Sequence, residues 1–274
     1  MVHNMDEASV YLWEWAWALV LLLGTYASLG LIHYWTRRGT PCPVLEKAQR
    51  VLLLTAHPDD ECMFFGPTIL GILGRGKSPK RLFLVCLSTG DQEGLGAQRK
   101  QELRKSCKVL GIKEEDLYIY QSSRLKDGFE HDWPVDEVAS IAERHISQLG
   151  VDLVVTFDRY GVSGHPNHQA LFYGVAALHL KGKIPKGVEV MCVESVSRLR
   201  KYVGPCDSLL SSAVGNHQVV LTPAERKRVL DAMFCHKSQM VWFRRLYLIF
   251  SRYTFLNTLS PIHAEALELS LALD

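Results

Sequence analysis

Four ionisable side chains, His57, Asp59, Asp60 and Glu61, stand within five residues, interrupted only by Pro58. They follow the apolar run Leu52-Leu53-Leu54, which reads as a buried strand ending at the proline. So many polar charges cannot be buried without compensation. A divalent cation compensates them well, with His57 and Asp60 both reaching it and Asp59 left free to act as a base. About a hundred residues later, His165 and His168 lie three apart in a Gly/Pro-rich loop. One more nitrogen from that loop completes a three-ligand catalytic metal site with an open position for water. Zinc lowers the pKa of such a water toward ~7. The histidine not used as a ligand stabilises an oxyanion or protonates a leaving amine. Histidine and aspartate ligands suit zinc best and also accept iron or manganese.

Two segments so far apart meet only if the fold brings them together. The pattern predicts strands at 50–56, 81–87, 117–120, 151–157, 188–193 and 217–221. Helices are expected at 62–75, 97–110, 134–149, from the His165 loop to about 180, and at 222–236. This alternation implies an α/β fold: a Rossmann-like, mainly parallel sheet with helices on both faces. Ligands of such sheets bind at the carboxyl ends of strands, and both charged loops follow predicted strands. No G-x-G-x-x-G follows the first strand, which argues against a dinucleotide site.

Composition sets the remaining bounds. The 274 residues are 47% hydrophobic and 22% charged, which suits one sizeable α/β domain and excludes a disordered chain. A formal charge of +2 and dispersed basic residues argue against nucleic acid as a partner. Seven scattered cysteines without a C-x-x-C pair form neither a disulfide framework nor a structural zinc site. Near the amino terminus, Trp15 to Ile32 is an uncharged run of eighteen residues. That is about the length of a membrane-spanning helix, ~20 residues. The residues before it are acidic, unlike a cleaved signal peptide. The basic residues Arg37, Arg38, Lys47 and Arg50 follow it, which places the bulk of the chain on the cytosolic side. The expected organisation is a tail at 1–14, a transmembrane anchor at 15–35, a linker at 36–49, a catalytic domain at 50–256 and a C-terminal tail at 257–274. Within the linker, Thr40-Pro41-Cys42-Pro43 is short and stiff, and folding is expected to begin near residue 44.

At Ala56-His57-Pro58-Asp59-Asp60-Glu61 and His165-Pro166-Asn167-His168, the chain resembles the LmbE-like, or PIG-L, de-N-acetylases. The likeness extends over about residues 50–256. It is closest to the eukaryotic branch, whose members carry runs like Val155–Asp158, Gly161–His165 and Trp242–Tyr247, and an amino-terminal anchor. Pro166 departs from the serine familiar at that position and leaves both histidines in place. The resemblance implies an LmbE-like hydrolase that removes the N-acetyl group of N-acetylglucosaminyl-phosphatidylinositol, a step of GPI-anchor biosynthesis, at the endoplasmic reticulum membrane. It implies zinc on His57, Asp60 and His168, Asp59 as general base, and His165 as transition-state partner. It also carries over an H-x-S-Q element, His236 to Gln239, in which Gln239 either reaches the sugar or inositol or serves as a structural polar cap. Arg99 is a candidate for a substrate anion, against a helix-face pair with Glu102. Glu61 is expected to buttress the site rather than bind metal.

The segment 242–256 interleaves aromatic, aliphatic and arginine residues, which suits an anionic membrane interface or an ordinary core helix. With the anchor, it points to a glycolipid substrate at the bilayer; protein partners leave no trace. Two other functions fit parts of the pattern. One is a deacetylase of soluble amino-sugar conjugates, and the other a non-catalytic tethered binding protein. The intact ligand set speaks against the second.

Overall fold

The computed structural model describes residues 7–75, 78–215 and 217–262. The C-terminal residues 263–274, the larger part of the expected tail, lie outside them, as do residues 1–6 of the expected tail at 1–14.

Seven strands form one sheet: β1 Arg50–Thr55, β2 Arg81–Cys86, β3 Leu117–Ile119, β4 Leu153–Phe157, β5 Glu189–Val193, β6 His217–Val220 and β7 Leu256–Pro261. Their order is β3-β2-β1-β4-β5-β7-β6. The first five run parallel, and β7 runs antiparallel to both β5 and β6. The helices are α1 Glu7–Arg37, α2 Pro43–Lys47, α3 Asp60–Met63, α4 Gly66–Leu73, α5 Gly96–Leu110 and α6 Val135–Leu149, followed by α7 Gly161–Gly164, α8 Pro166–Leu180, α9 Arg198–Lys201, α10 Ser208–Val214, α11 Pro223–Met233 and α12 Trp242–Phe250.

The central strands are near-continuous aliphatic runs because helices cover both faces. Val51, Leu52, Leu53 and Leu54 of β1 and Val154 and Val155 of β4 are all fully buried. Strand order reverses between β1 and β4, which are hydrogen-bonded neighbours. At such a switch point the loops after the two strands part to opposite faces and leave a crevice between them. Those loops are 56–60 and 158–168.

Three features depart from the sequence expectation. The helix expected over 62–75 is two helices, because Pro67 lacks an amide hydrogen to continue α3 and instead opens the first turn of α4. Residues 256–261, at the edge of and beyond the expected domain, form the strand between β5 and β6. Its polar Asn257 is buried and satisfied chiefly by tertiary partners: it accepts from Thr68 and donates to the Phe64 carbonyl, besides a longer contact to the neighbouring Leu256 carbonyl. A period-2 pattern with a buried asparagine gives no strand signal. Part of the stretch set out as linker at 36–49 also joins the fold: Val44 and Leu45 of α2 lie in the core, in keeping with a start near residue 44.

The apolar span within α1, Trp15–Arg37, is 23 residues long, and 6% of its apolar window is buried. Its end is docked on the domain. Tyr34 donates to the Leu221 carbonyl at 2.9 Å, His33 Nδ1 lies 2.9 Å from Ser208 Oγ, and Gly30 meets the Cys206 backbone too closely to admit a Cβ.

Candidate active site

Asp60 opens α3 directly after β1, and its Oδ2 accepts from the backbone amides of Ala56 and His57, both at 2.9 Å. That leaves Oδ1 facing the crevice, 3.3 Å from His168 Nε2. His168, in the first turn of α8, places its Nδ1 3.0 Å from the Gly161 carbonyl, so Nδ1 carries the hydrogen and Nε2 offers its lone pair. Phe157 stacks on this imidazole with ring centroids 4.1 Å apart. His57 is fixed in the same manner. Its Nε2 lies 2.9 Å from Asn167 Oδ1 and 3.0 Å from Asp127 Oδ1, so it donates there and Nδ1 presents its lone pair. The two lone-pair nitrogens stand 3.3 Å apart.

Two imidazole lone pairs and one carboxylate oxygen thus converge, all within 4.8 Å of one another, and all three residues are buried. Facing lone pairs repel unless a cation lies between them, so this donor set fits a divalent metal. The local field agrees. Burial alone would push the His57 pKa down, yet hydrogen bonding to Asp127 and the charge of Asp60 hold it above its ordinary value. Asp60 is held well below the usual carboxylate range by His168 and His57, against the effect of burial. The other three-residue grouping at the crevice, His57 with Asp127 and His165, uses the outer nitrogen of His57.

Asp59 is buried beside this cluster and is not free. Its Oδ2 accepts from Arg244 of α12 and lies 3.4 Å from Arg99 Nη2 of α5. Its φ of 114° is strained for a residue with a Cβ. Among the described residues the one other non-glycine at positive φ is Val162, at 61°, in the loop that carries His165. Stored backbone strain concentrates at functional sites, and here both instances flank the cluster. The Val162 amide is held by Ser195 Oγ, itself bonded to Asp158.

His165 caps α8: its Nδ1 accepts from the Asn167 amide at 3.3 Å, which leaves Nε2 as the N–H nitrogen. Burial, followed by the neighbouring imidazoles, pushes its pKa down to about 4. At neutral pH it is therefore an uncharged hydrogen-bond donor. Pro166 occupies the first position of α8, where its missing amide hydrogen costs nothing, and both histidines keep their places.

Glu61 points away from the crevice. It accepts from the Asp59 amide, from Ser106 and from His236 Nε2 at 2.7 Å, and so braces the strained turn from behind. Arg99 does not pair with Glu102, which is taken by Ser238 and Gln98. It binds Asp127 at 3.0 Å, the carbonyls of Gly90 and Pro58, and Asp59, so it organises the acidic side chains of the site. Gln239 lines the same cleft, with its amide donating to Ser238 Oγ at 3.1 Å.

Three contributors were not assigned roles from sequence. Asp127 and Asn167 orient His57, and Arg244 holds Asp59. Asn167 sits between the two histidines, where an intervening polar residue is a weak hint. Asp127, in an irregular loop, gives none. All line or support one cleft of about 720 Å³, which runs from the cluster to the aromatic face of α12. That is the size of a small-molecule site, roughly 300–1,000 Å³.

Comparison with known proteins points the same way. Residues 52–179 match the PIG-L family model, described as GlcNAc-PI de-N-acetylase. The chain is 45% identical over 215 residues to N-acetylglucosaminyl-phosphatidylinositol de-N-acetylase of Bos taurus, covering 77% of this chain and 83% of that protein. It is 38% identical over 218 residues to a probable enzyme of the same name from Schizosaccharomyces pombe, covering 77% and 86%. In fold it is similar to the N,N'-diacetylchitobiose deacetylase of Pyrococcus horikoshii, with a TM-score of 0.55, 19% identity, and coverage of 80% and 85%.

Proposed function

The chain belongs to the GlcNAc-PI de-N-acetylase family, and from that premise we propose that it hydrolyses the acetamide of N-acetylglucosaminyl-phosphatidylinositol. The products are acetate and glucosaminyl-phosphatidylinositol, within GPI-anchor biosynthesis. The observation that carries the chemistry is the convergence of His57 Nδ1, His168 Nε2 and Asp60 Oδ1 beside Asp59 and His165.

His57, Asp60 and His168 would hold the metal, with zinc as the ion their chemistry suits best. When bound, it supplies Lewis-acid activation of water and of the acetyl carbonyl. Asp59, positioned by Arg244 and Arg99, accepts the proton of the attacking water. Uncharged His165 donates from Nε2 to the oxyanion of the tetrahedral intermediate. Its low pKa favours this hydrogen-bonding role, and the proton taken by Asp59 passes to the leaving nitrogen as the C–N bond breaks. Asn167 and Asp127 keep His57 in the tautomer that turns Nδ1 inward.

The setting we propose is a single-pass anchor through α1 in the endoplasmic reticulum membrane, with the catalytic domain in the cytosol. The basic residues after the span support that orientation. The exposed Trp242, Phe243, Leu246, Ile249 and Phe250 of α12, at the cleft mouth, support contact with the bilayer that presents the lipid.

The test is acetate release from N-acetylglucosaminyl-phosphatidylinositol in vesicles, with and without a chelator, and after adding back single metals. The reading requires release that the chelator abolishes and one metal restores. Absence of release would sink the substrate assignment; release indifferent to the chelator would sink the metal site. Faster turnover of soluble N-acetylglucosamine conjugates would favour a soluble-substrate deacetylase.

A further inference from the structure

Three fixed cations line the cleft: Arg99, Arg244 and Lys201. The two arginines are already neutralised, Arg244 by Asp59 and Arg99 by Asp59 and Asp127. Lys201, at the end of α9, is different. It makes no ion pair among the described residues, and its one hydrogen bond is a long 3.4 Å contact from Nζ to the Val162 carbonyl. An ammonium has three donors, so at least two remain for a ligand. Its other neighbours are two tyrosine rings, with Nζ 5.8 Å from the centre of Tyr247 and 5.9 Å from that of Tyr202; these are weak cation–π contacts that leave its N–H donors unused. Desolvation pushes its pKa down, as expected of a charge short of partners.

Position says what the missing partner is. The Val162 carbonyl belongs to the loop whose preceding carbonyl, Gly161, supports His168. On its other side Lys201 faces Tyr247 of α12, next to the exposed apolar residues at the cleft mouth. The cleft therefore presents, in order, the histidine–aspartate cluster, one unpaired cation and an apolar wall. A glycolipid whose acetamide sits at the cluster carries its groups in the same order: sugar, inositol, phosphodiester, acyl chains.

We propose that Lys201 binds the phosphodiester of the lipid substrate and is thereby a specificity-determining residue of the reaction. This rests on the deacetylase reading above. Recognition is by one charge-assisted contact in a poorly solvated wall, where such a bond is stronger than at an exposed surface. The anion restores the charge balance that these surroundings deny, and the sugar is held with its acetamide at the far end.

The test uses the full chain in vesicles of neutral phosphatidylcholine, so that bulk membrane charge plays no part. Two substrates are compared: N-acetylglucosaminyl-phosphatidylinositol, and an alkylated N-acetylglucosaminyl-inositol without phosphate. The readout is the ratio of their kcat/KM values. Lys201→Met keeps the aliphatic stem and removes the charge; it should lower that ratio about 10- to 100-fold, chiefly through KM. Lys201→Arg, which keeps the charge, should hold the ratio within about threefold. An unchanged ratio in Lys201→Met overturns the proposal, including the case where both rates fall together, which marks a structural lysine. A wild-type chain inert on both substrates would instead defeat the deacetylase reading and this inference with it.

Discussion

Replacing Asp127 by asparagine removes a charge from the outer side of His57 with almost no change in volume. In the native chain Asp127 Oδ1 is 3.0 Å from His57 Nε2, and Oδ2 is 3.0 Å from Arg99 Nη1. The side chain is only 9% exposed, so solvent screens these contacts little. Burial alone would raise its pKa. The His57 hydrogen bond and charge, with Arg99, overcome that and hold it at about 2. The fall from an ordinary 3.8 corresponds to about 2 kcal/mol of preference for a carboxylate facing a positively charged neighbour. A metal-bearing imidazole makes the same demand, so we expect Asp127→Asn to weaken metal binding and kcat/KM by about 30-fold each. Metal affinity is read by competition with a chromogenic chelator, and turnover by acetate release. The exposed Asp136→Asn serves as the control. Stability should respond as well. A carboxylate with a depressed folded pKa contributes stability above its unfolded value, and this is lost as pH falls through the folded one. Between about pH 5 and 2 the wild type should therefore lose about 2 kcal/mol that Asp127→Asn never had. Metal affinity and turnover both within threefold of wild type would refute the claim that Asp127 orients His57.

Other expectations address the remaining parts of the site. Asp59→Asn should retain metal and lose turnover by roughly 10²- to 10⁴-fold, and near-wild-type kcat would remove Asp59 as the base. His236→Leu strands Glu61 in a fully buried position and should cost about 3–5 kcal/mol, seen as a fall in Tm of about 10 °C; a drop under about 2 °C would contradict the bracing role. Burial alone would push the His236 pKa down, but Glu61 holds it above its ordinary value, so its contribution is full below about pH 6.5 and lost as pH rises through the folded value. The urea midpoint of the wild type should accordingly fall on the alkaline side more steeply than that of His236→Leu. Trp242→Ser combined with Ile249→Ser removes exposed apolar surface from α12 and should reduce turnover of the vesicle-borne lipid on the order of 10-fold while sparing a soluble analogue. Equal losses on both would indicate damage to the fold.

The sequence by itself determined a good deal. The aliphatic runs at 52–54 and 153–155 had to be buried strands, and alternation with amphipathic helices required a mainly parallel sheet. His57 and Asp60 were visible as candidate ligands because charges clustered behind a buried strand need compensation, and the His165–His168 loop offered one more nitrogen, assigned to His168 only by the family resemblance. The apolar span after residue 15 was legible for the same kind of reason: length and hydropathy are local properties. What tertiary structure decided were matters of direction and partnership. Only the β1–β4 pairing shows that the two loops share a crevice. Only the assembled site shows Asp59 tied to Arg244 of a helix nearly two hundred residues away, and Asp127 reaching His57 from an irregular loop. The strand at 256–261 was hidden because its buried asparagine is satisfied chiefly by Thr68 and Phe64. Periodicity reports which face a residue presents. Which atom it meets across that face depends on how distant segments pack, and no local pattern encodes that.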